Sequence, residues 1–144
     1  FKYGMKETDM RKVANTKFNN GKDKYGNEVA IANYNGEKIE IALSQIYAGE
    51  NQPSAIGIYN LTTKSPKFKT KSGIGVGSTK DQLLDAYRNY PNYSVNQMWD
   101  EKTSKKSTTE SSFTLSDSDS NTELFFRMIN NVVVEVTVYI NEGC

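Results

Sequence analysis

The stretch Lys71-Ser-Gly-Ile-Gly-Val-Gly-Ser-Thr-Lys-Asp-Gln-Leu-Leu-Asp-Ala-Tyr87 constrains this chain most, because three alternate glycines lead into a short amphipathic pattern of helical spacing. A weaker copy opens the sequence. With the two laid about half the chain apart, Phe1 falls on Ile74, Gly4 on Gly77, Met10 on Leu83 and Val13 on Ala86. A repeat is a unit that must bury its apolar face against its own sheet or its neighbour. The expected fold is therefore α+β, with two tandem repeats, residues 1–70 and 71–144, each a short helical segment packed on an antiparallel β-sheet.

Apolar spacing predicts helices near residues 5–14 and 79–89. In the first, Met10, Val13 and Ala14 recur at helical intervals, with Glu7 and Asp9 at the end where the helix dipole favours carboxylates. In the second, Ser78 or Thr79 can cap, and Asp81 or Gln82 three residues on can close a capping box. Leu83, Leu84, Ala86 and Tyr87 supply its buried stripe, and Pro91 stops it. Strand signal covers residues 28–34, 37–48, 54–63, 93–99, 111–117, 122–129 and 132–140. Residues 15–26 and 49–53 read as a loop and a turn, and 101–110 as a polar, flexible loop. The lysine-rich, proline-marked stretch 64–71 reads as a solvated connector between the halves.

Registers follow from turns. Asn35-Gly36 marks a hairpin. A two-residue turn would set Ile31 opposite Glu40, whereas a three-residue loop with Gly36 left-handed aligns Val29 and Ile31 with Ile39, Ile41 and Leu43. The second is expected, because a slip of one residue moves a whole apolar set to the other face. In the last hairpin a three-residue loop, Ile129-Asn130-Asn131, matches Leu124, Phe126 and Met128 with the valines 132, 134, 136 and 138. Arg127 and Glu135 are then diagonal cross-strand neighbours. On the strand at 54–63, Ile56 and Ile58 face inward while Tyr59 and Leu61 face outward.

Composition excludes several chemistries. Histidine is absent and Cys144 is the only cysteine, which removes His-dependent triads, His-ligated zinc and any internal disulfide. Lysine and arginine number 18 against 17 acidic residues, so no global field draws nucleic acid or an anionic membrane. No apolar run reaches the length of a membrane-spanning helix. Gly73-Ile-Gly-Val-Gly77 fails both phosphate-loop signatures, since Ser78 stands where the dinucleotide pattern needs glycine and Gly77-Ser78-Thr79 lacks the mononucleotide lysine. Asp117-Ser-Asp-Ser-Asn121 has the first oxygen spacings of a calcium loop, but Thr122 replaces the obligatory glycine and Met128 the bidentate glutamate. The carboxylate pairs Asp81/Asp85 and Glu7/Asp9 lie on polar helix faces, with nothing to separate their pKa values for acid/base work. The expectation is a non-enzyme with no cofactor, no metal and no nucleic-acid partner.

Ile74, Val76, Gly77, Ser78, Thr79 and Leu83, followed by Tyr87 to Pro91 and several antiparallel strands, resemble the repeat of the β-lactamase inhibitory protein family and of related small outer-membrane assembly lipoproteins. Phe1, Tyr3, Gly4 and Met10 form the looser first copy. The resemblance implies a concave sheet that binds another protein, in an exported, lipid-anchored protein of a bacterial envelope whose anchor would lie upstream of Phe1. The start at Phe1 without Met is read in the same sense, as a trimmed mature chain. The family's inhibitors carry intradomain disulfides that one cysteine cannot form, and their binding residues have no motif here to map onto, so β-lactamase inhibition is not implied.

Strand parity places Tyr59, Phe125, Arg127, Glu135 and Tyr139 on the sheet face opposite the helices, and exposed aromatics with arginine make interface anchors. These are the expected partner-binding residues, and the expected partner is another envelope or extracellular protein. The rival reading is a carrier of a small molecule, lipid or glycan, with Trp99, Phe113 and Tyr93 lining a pocket between sheet and helix. Parity leaves Trp99 open between core and surface.

Overall fold

The computed structural model describes residues 1–46, 55–117 and 119–140. In chain order the elements are α1 (Glu7–Met10), β1 (Thr16–Lys22), β2 (Glu28–Tyr34), β3 (Glu37–Ile46), β4 (Ala55–Thr63), α2 (Lys80–Tyr87), β5 (Tyr93–Asp100), β6 (Lys105–Asp117), β7 (Thr122–Ile129) and β8 (Val132–Ile140). All eight strands form one antiparallel sheet in the order β1-β2-β3-β4-β8-β7-β6-β5. The seam is the pairing of β4 with β8, Leu61 opposite Val138 and Thr63 opposite Val136.

This corrects the expected α+β class. Among the described residues helix is confined to the four residues of α1 and the eight of α2, and the strands form a single antiparallel sheet rather than a pair of helix-plus-sheet repeats. The reason lies in the helix sequences. Thr79 accepts from the Gln82 backbone N–H and the Gln82 side chain accepts from the Thr79 N–H, a complete capping box, and Leu83 and Tyr87 bury one stripe over two turns. Lys6, in the matching position, gives α1 no side-chain cap, only Met10 is buried, and the helix stops after one turn. Ala86, assigned to the buried stripe, is exposed.

Both helical lead-ins are nonetheless pinned to the sheet in the same way. The Gly4 N–H donates to the Ile58 carbonyl and the Ile58 N–H to the Met5 carbonyl, each at 2.8 Å. Likewise Gly77 donates to Val133 and Val133 to Ser78, again at 2.8 Å. Gly4 and Gly77 have φ of 74° and 93°, a left-handed geometry that glycine adopts without cost. Gly75 is required for a different reason, since a Cβ there would lie 2.5 Å from the Phe68 carbonyl oxygen.

Two registers differ from expectation. Asn35 and Gly36 both have positive φ, forming a two-residue turn whose twist suits the flanking strands. Ala30 therefore pairs with Ile41, Ala32 with Ile39 and Ile31 with Glu40, so the alanines and not Val29 and Ile31 take the helix side. In the last hairpin Asn130 and Asn131, at φ 50° and 64°, also make a two-residue turn. A bulge then skips Val134 and restores Phe126 opposite Val136 and Leu124 opposite Val138. A second bulge, at Tyr59, shifts parity in β4, so Leu61 joins the helix-side core instead of facing outward.

Two elements replace expected loops. Residues 16–22 form the polar edge strand β1, anchored by Phe18, and β6 begins at Lys105, inside the expected flexible loop. The stretch 64–71 is not a solvated connector either. Phe68 packs on the first core, Lys67 pairs with Glu37 at 2.6 Å, and the Lys69 ammonium donates to the Val76 carbonyl at 3.1 Å. The expected turn at 49–53, the end of the second expected strand and Cys144 lie outside the described residues.

The core has two parts on the helix side. One joins Met10 to Ala30, Ala32, Ile39, Ile41 and Ile58, and the other joins Leu83 and Tyr87 to Phe113, Phe126, Met128 and Val133. Among the described residues no helix is long and apolar enough to cross a membrane.

Candidate functional site

The face opposite the helices is concave, and one contact requires it. Lys24, in the turn between β1 and β2, donates to Glu135 of β8 at 3.1 Å. In a flat sheet Glu135 would lie three strand spacings from β2, roughly 14 Å, and five residues along it, about 16 Å. A lysine side chain cannot cover that separation, so the sheet coils and the β1–β2 hairpin curls over its own face.

The hairpin is built to hold that position. Asp23 Oδ1 accepts the backbone N–H groups of Tyr25 and Asn27 at 2.8 and 2.9 Å, and Oδ2 accepts the Asn27 side-chain amide at 3.1 Å. Desolvation pulls the Asp23 pKa upward, but these bonds and the Gly26 N–H outweigh it and leave the carboxyl below its ordinary value.

Under the hairpin lies a cleft of about 350 Å³ whose walls include Lys24, Tyr25, Phe125, Glu135, Thr137 and Tyr139. Phe125 and Tyr139 meet edge to face with centroids 6.3 Å apart. The Tyr139 hydroxyl donates to Glu123, which also accepts from Ser116 at 3.2 Å. Burial, and then the Glu123 carboxylate, push the Tyr139 hydroxyl well above the ordinary phenol range, so it remains a donor across physiological pH. Thr62 and Thr137 share a hydrogen bond of 3.0 Å across the seam. Glu135 is only 4% exposed, and its two cationic neighbours, Lys24 at 3.1 Å and Lys64 at 3.9 Å, reach it from the rim. The Lys24 ammonium also sits 5.1 Å from the Tyr25 ring centroid.

Of the five residues assigned from sequence, the structure gathers Phe125, Glu135 and Tyr139 in the cleft. Arg127 stands directly opposite Glu135 in the ladder, yet its guanidinium bonds Glu110 at 3.2 Å, while Lys24 and Lys64 meet Glu135. Tyr59 is half-buried at the β4 bulge and is not part of the cleft wall. Lys24 and Tyr25 were missed. Their one signal was an aromatic residue, Tyr25, inside an otherwise polar turn, and its destination depends on sheet coiling.

Of the trio proposed for a carrier pocket, two residues are together and Trp99 points to solvent. Phe113 is fully buried, Tyr93 stacks on it at 5.4 Å, and Trp99 is 61% exposed. In the acidic turn after β6, Asp117 accepts from the Asp119 N–H at 3.0 Å and the Ser120 hydroxyl at 2.9 Å. Glu7 accepts two bonds from Arg11, at 2.7 and 2.9 Å, and Asp85 is paired with Arg88. Compared with known proteins, the chain matches no family model, no curated protein and no solved structure.

Proposed function

We propose that this chain is a non-enzymatic binding module that grips another protein with its concave sheet face. The observation that carries the reading is the aromatic cleft beneath the β1–β2 hairpin, where Tyr25, 73% exposed, faces Phe125 and Tyr139 across a nearly buried carboxylate. Rigid aromatics around a desolvated charge are the composition of interface hot spots. The Lys24 ammonium occupies the acidic floor in the free protein, so the partner that fits is one presenting a lysine or arginine to displace it. The resemblance of the Gly77-Ser78-Thr79 lead-in to the β-lactamase inhibitory protein family supports a protein partner and an extracytoplasmic, lipid-anchored setting.

The test is affinity capture from a bacterial envelope extract, followed by titration of the captured protein against alanine variants. Tyr25→Ala and Phe125→Ala each weaken binding by about 2 kcal/mol or more, roughly thirtyfold, at a true hot spot. If both variants retain wild-type affinity, the concave face is not the interface.

A further inference from the structure

A second concavity lies on the other side of the sheet, over the seam. It measures about 430 Å³ and is walled by apolar side chains of both halves, among them Tyr34, Leu61, Phe68, Leu124, Val136 and Val138. Its origin is the short first helix. Since α1 ends at Met10 and α2 packs over Phe113 and Phe126, neither helix covers the paired residues Leu61 and Val138, which stay half-buried. The hollow opens to solvent on one side, and its volume is within the range of small-ligand sites, about 300 to 1,000 Å³.

One polar feature selects the ligand. Among the described residues Lys69 is the one charged side chain in the wall, it is exposed at the rim, and none of their ion pairs involves it. It gives one bond to the Val76 carbonyl, leaving further N–H donors for an anion. Thr70 lines the wall too, its hydroxyl shared with the Tyr87 phenol at 2.7 Å.

We infer that this hollow binds an anionic amphiphile of the fatty-acid class, its hydrocarbon chain lying along the β4–β8 seam and its carboxylate meeting Lys69. The site is on the face opposite the cleft and does not depend on the cleft's role. Apolar burial supplies the affinity and the lysine the polarity of insertion.

Calorimetric titration of the full chain with octanoate, decanoate and dodecanoate, each below its micelle concentration, tests it. Affinity rises with length, by up to about fourfold per buried methylene. Lys69→Glu weakens dodecanoate roughly fivefold or more and leaves dodecanol unchanged. Val136→Trp, which fills the seam, abolishes binding of both. A readout independent of that variant's folding is paramagnetic broadening of the wild-type protein by a spin-labelled fatty acid, expected at the methyls of Leu61, Leu124 and Val138. Absence of binding to the wild type, binding indifferent to Lys69→Glu, or broadening confined to the Phe125 face would each overturn the proposal.

Discussion

The two halves of this sheet start alike and finish differently. Each enters through a glycine with positive φ that exchanges backbone bonds with a strand at 2.8 Å, and each buries one long apolar residue, Met10 or Leu83, against the sheet. In the second half a capping box and a second buried residue, Tyr87, extend the helix to eight residues, and aromatic rings at Tyr87, Phe113 and Phe126 fill the space below it. The first half lacks the cap and has alanines at the corresponding depth, Ala30 and Ala32, so its helix ends after one turn. Capping and core volume together decide whether a short amphipathic run becomes a helix. One consequence is the uncovered seam. In the same half the β1–β2 hairpin curls over the opposite face, where it forms the cleft.

The largest test of that contrast is Phe126→Ala. Truncating this fully buried ring costs about 3–5 kcal/mol. Because β4 and β8 pair in one ladder, the loss appears as a single lowered thermal transition seen by both circular dichroism and Trp99 fluorescence. Two separated transitions would show that the halves unfold independently and that the seam does not couple them.

A smaller effect comes from the caps. Thr79→Ala removes the capping box and destabilises by about 1 kcal/mol, whereas Lys6→Thr supplies the missing cap and stabilises by a few tenths to about 1 kcal/mol. Denaturant midpoints read both. If Lys6→Thr brings no gain, the absence of a cap is not what limits α1.

The smallest effect is electrostatic and belongs to the first half. Bonds from Lys67, and then from Ser65, hold the Glu37 carboxyl below its ordinary value of 4.5. A carboxylate depressed in the folded state contributes stability that is complete above that unfolded value and is lost as pH falls through the lower folded one. Stability measured from pH 6 downward should therefore decline more gently below about 4.5 in Glu37→Gln than in the wild type. Identical slopes would remove Glu37 from the acid response.

How much of this could be read from residues alone depended on whether the signal was local. The Thr79/Gln82 cap, the asparagine turns and most strands were legible, since each rests on a few adjacent side chains. Helix content was not, because the first copy matched the second in apolar spacing but not at the position of Thr79. In the last hairpin a two-residue turn with a bulge aligns much the same apolar set as a three-residue loop, and sequence alone does not separate the two; at Asn35-Gly36 the turn has no bulge beside it, and the register follows the turn, putting Ala30 and Ala32 where Val29 and Ile31 were expected. The edge strand β1, with Lys17, Asn19, Asn20 and Lys22, carries almost no strand propensity and forms because β2 offers it a ladder. On the cleft side, parity found Phe125, Glu135 and Tyr139, while Lys24 and Tyr25 arrive from more than a hundred residues away through coiling of the sheet.

The central claim, that the concave face is the interface, is tested most directly by crosslinking to the captured protein with a photoreactive residue at single positions. Tyr25 on the hairpin and Asp85 on α2 are similarly exposed and lie on opposite faces. The account predicts a discrete crosslinked protein from position 25 that vanishes on adding Phe125→Ala, and none from position 85. The same adduct from position 85, or one from position 25 that survives Phe125→Ala, would contradict it.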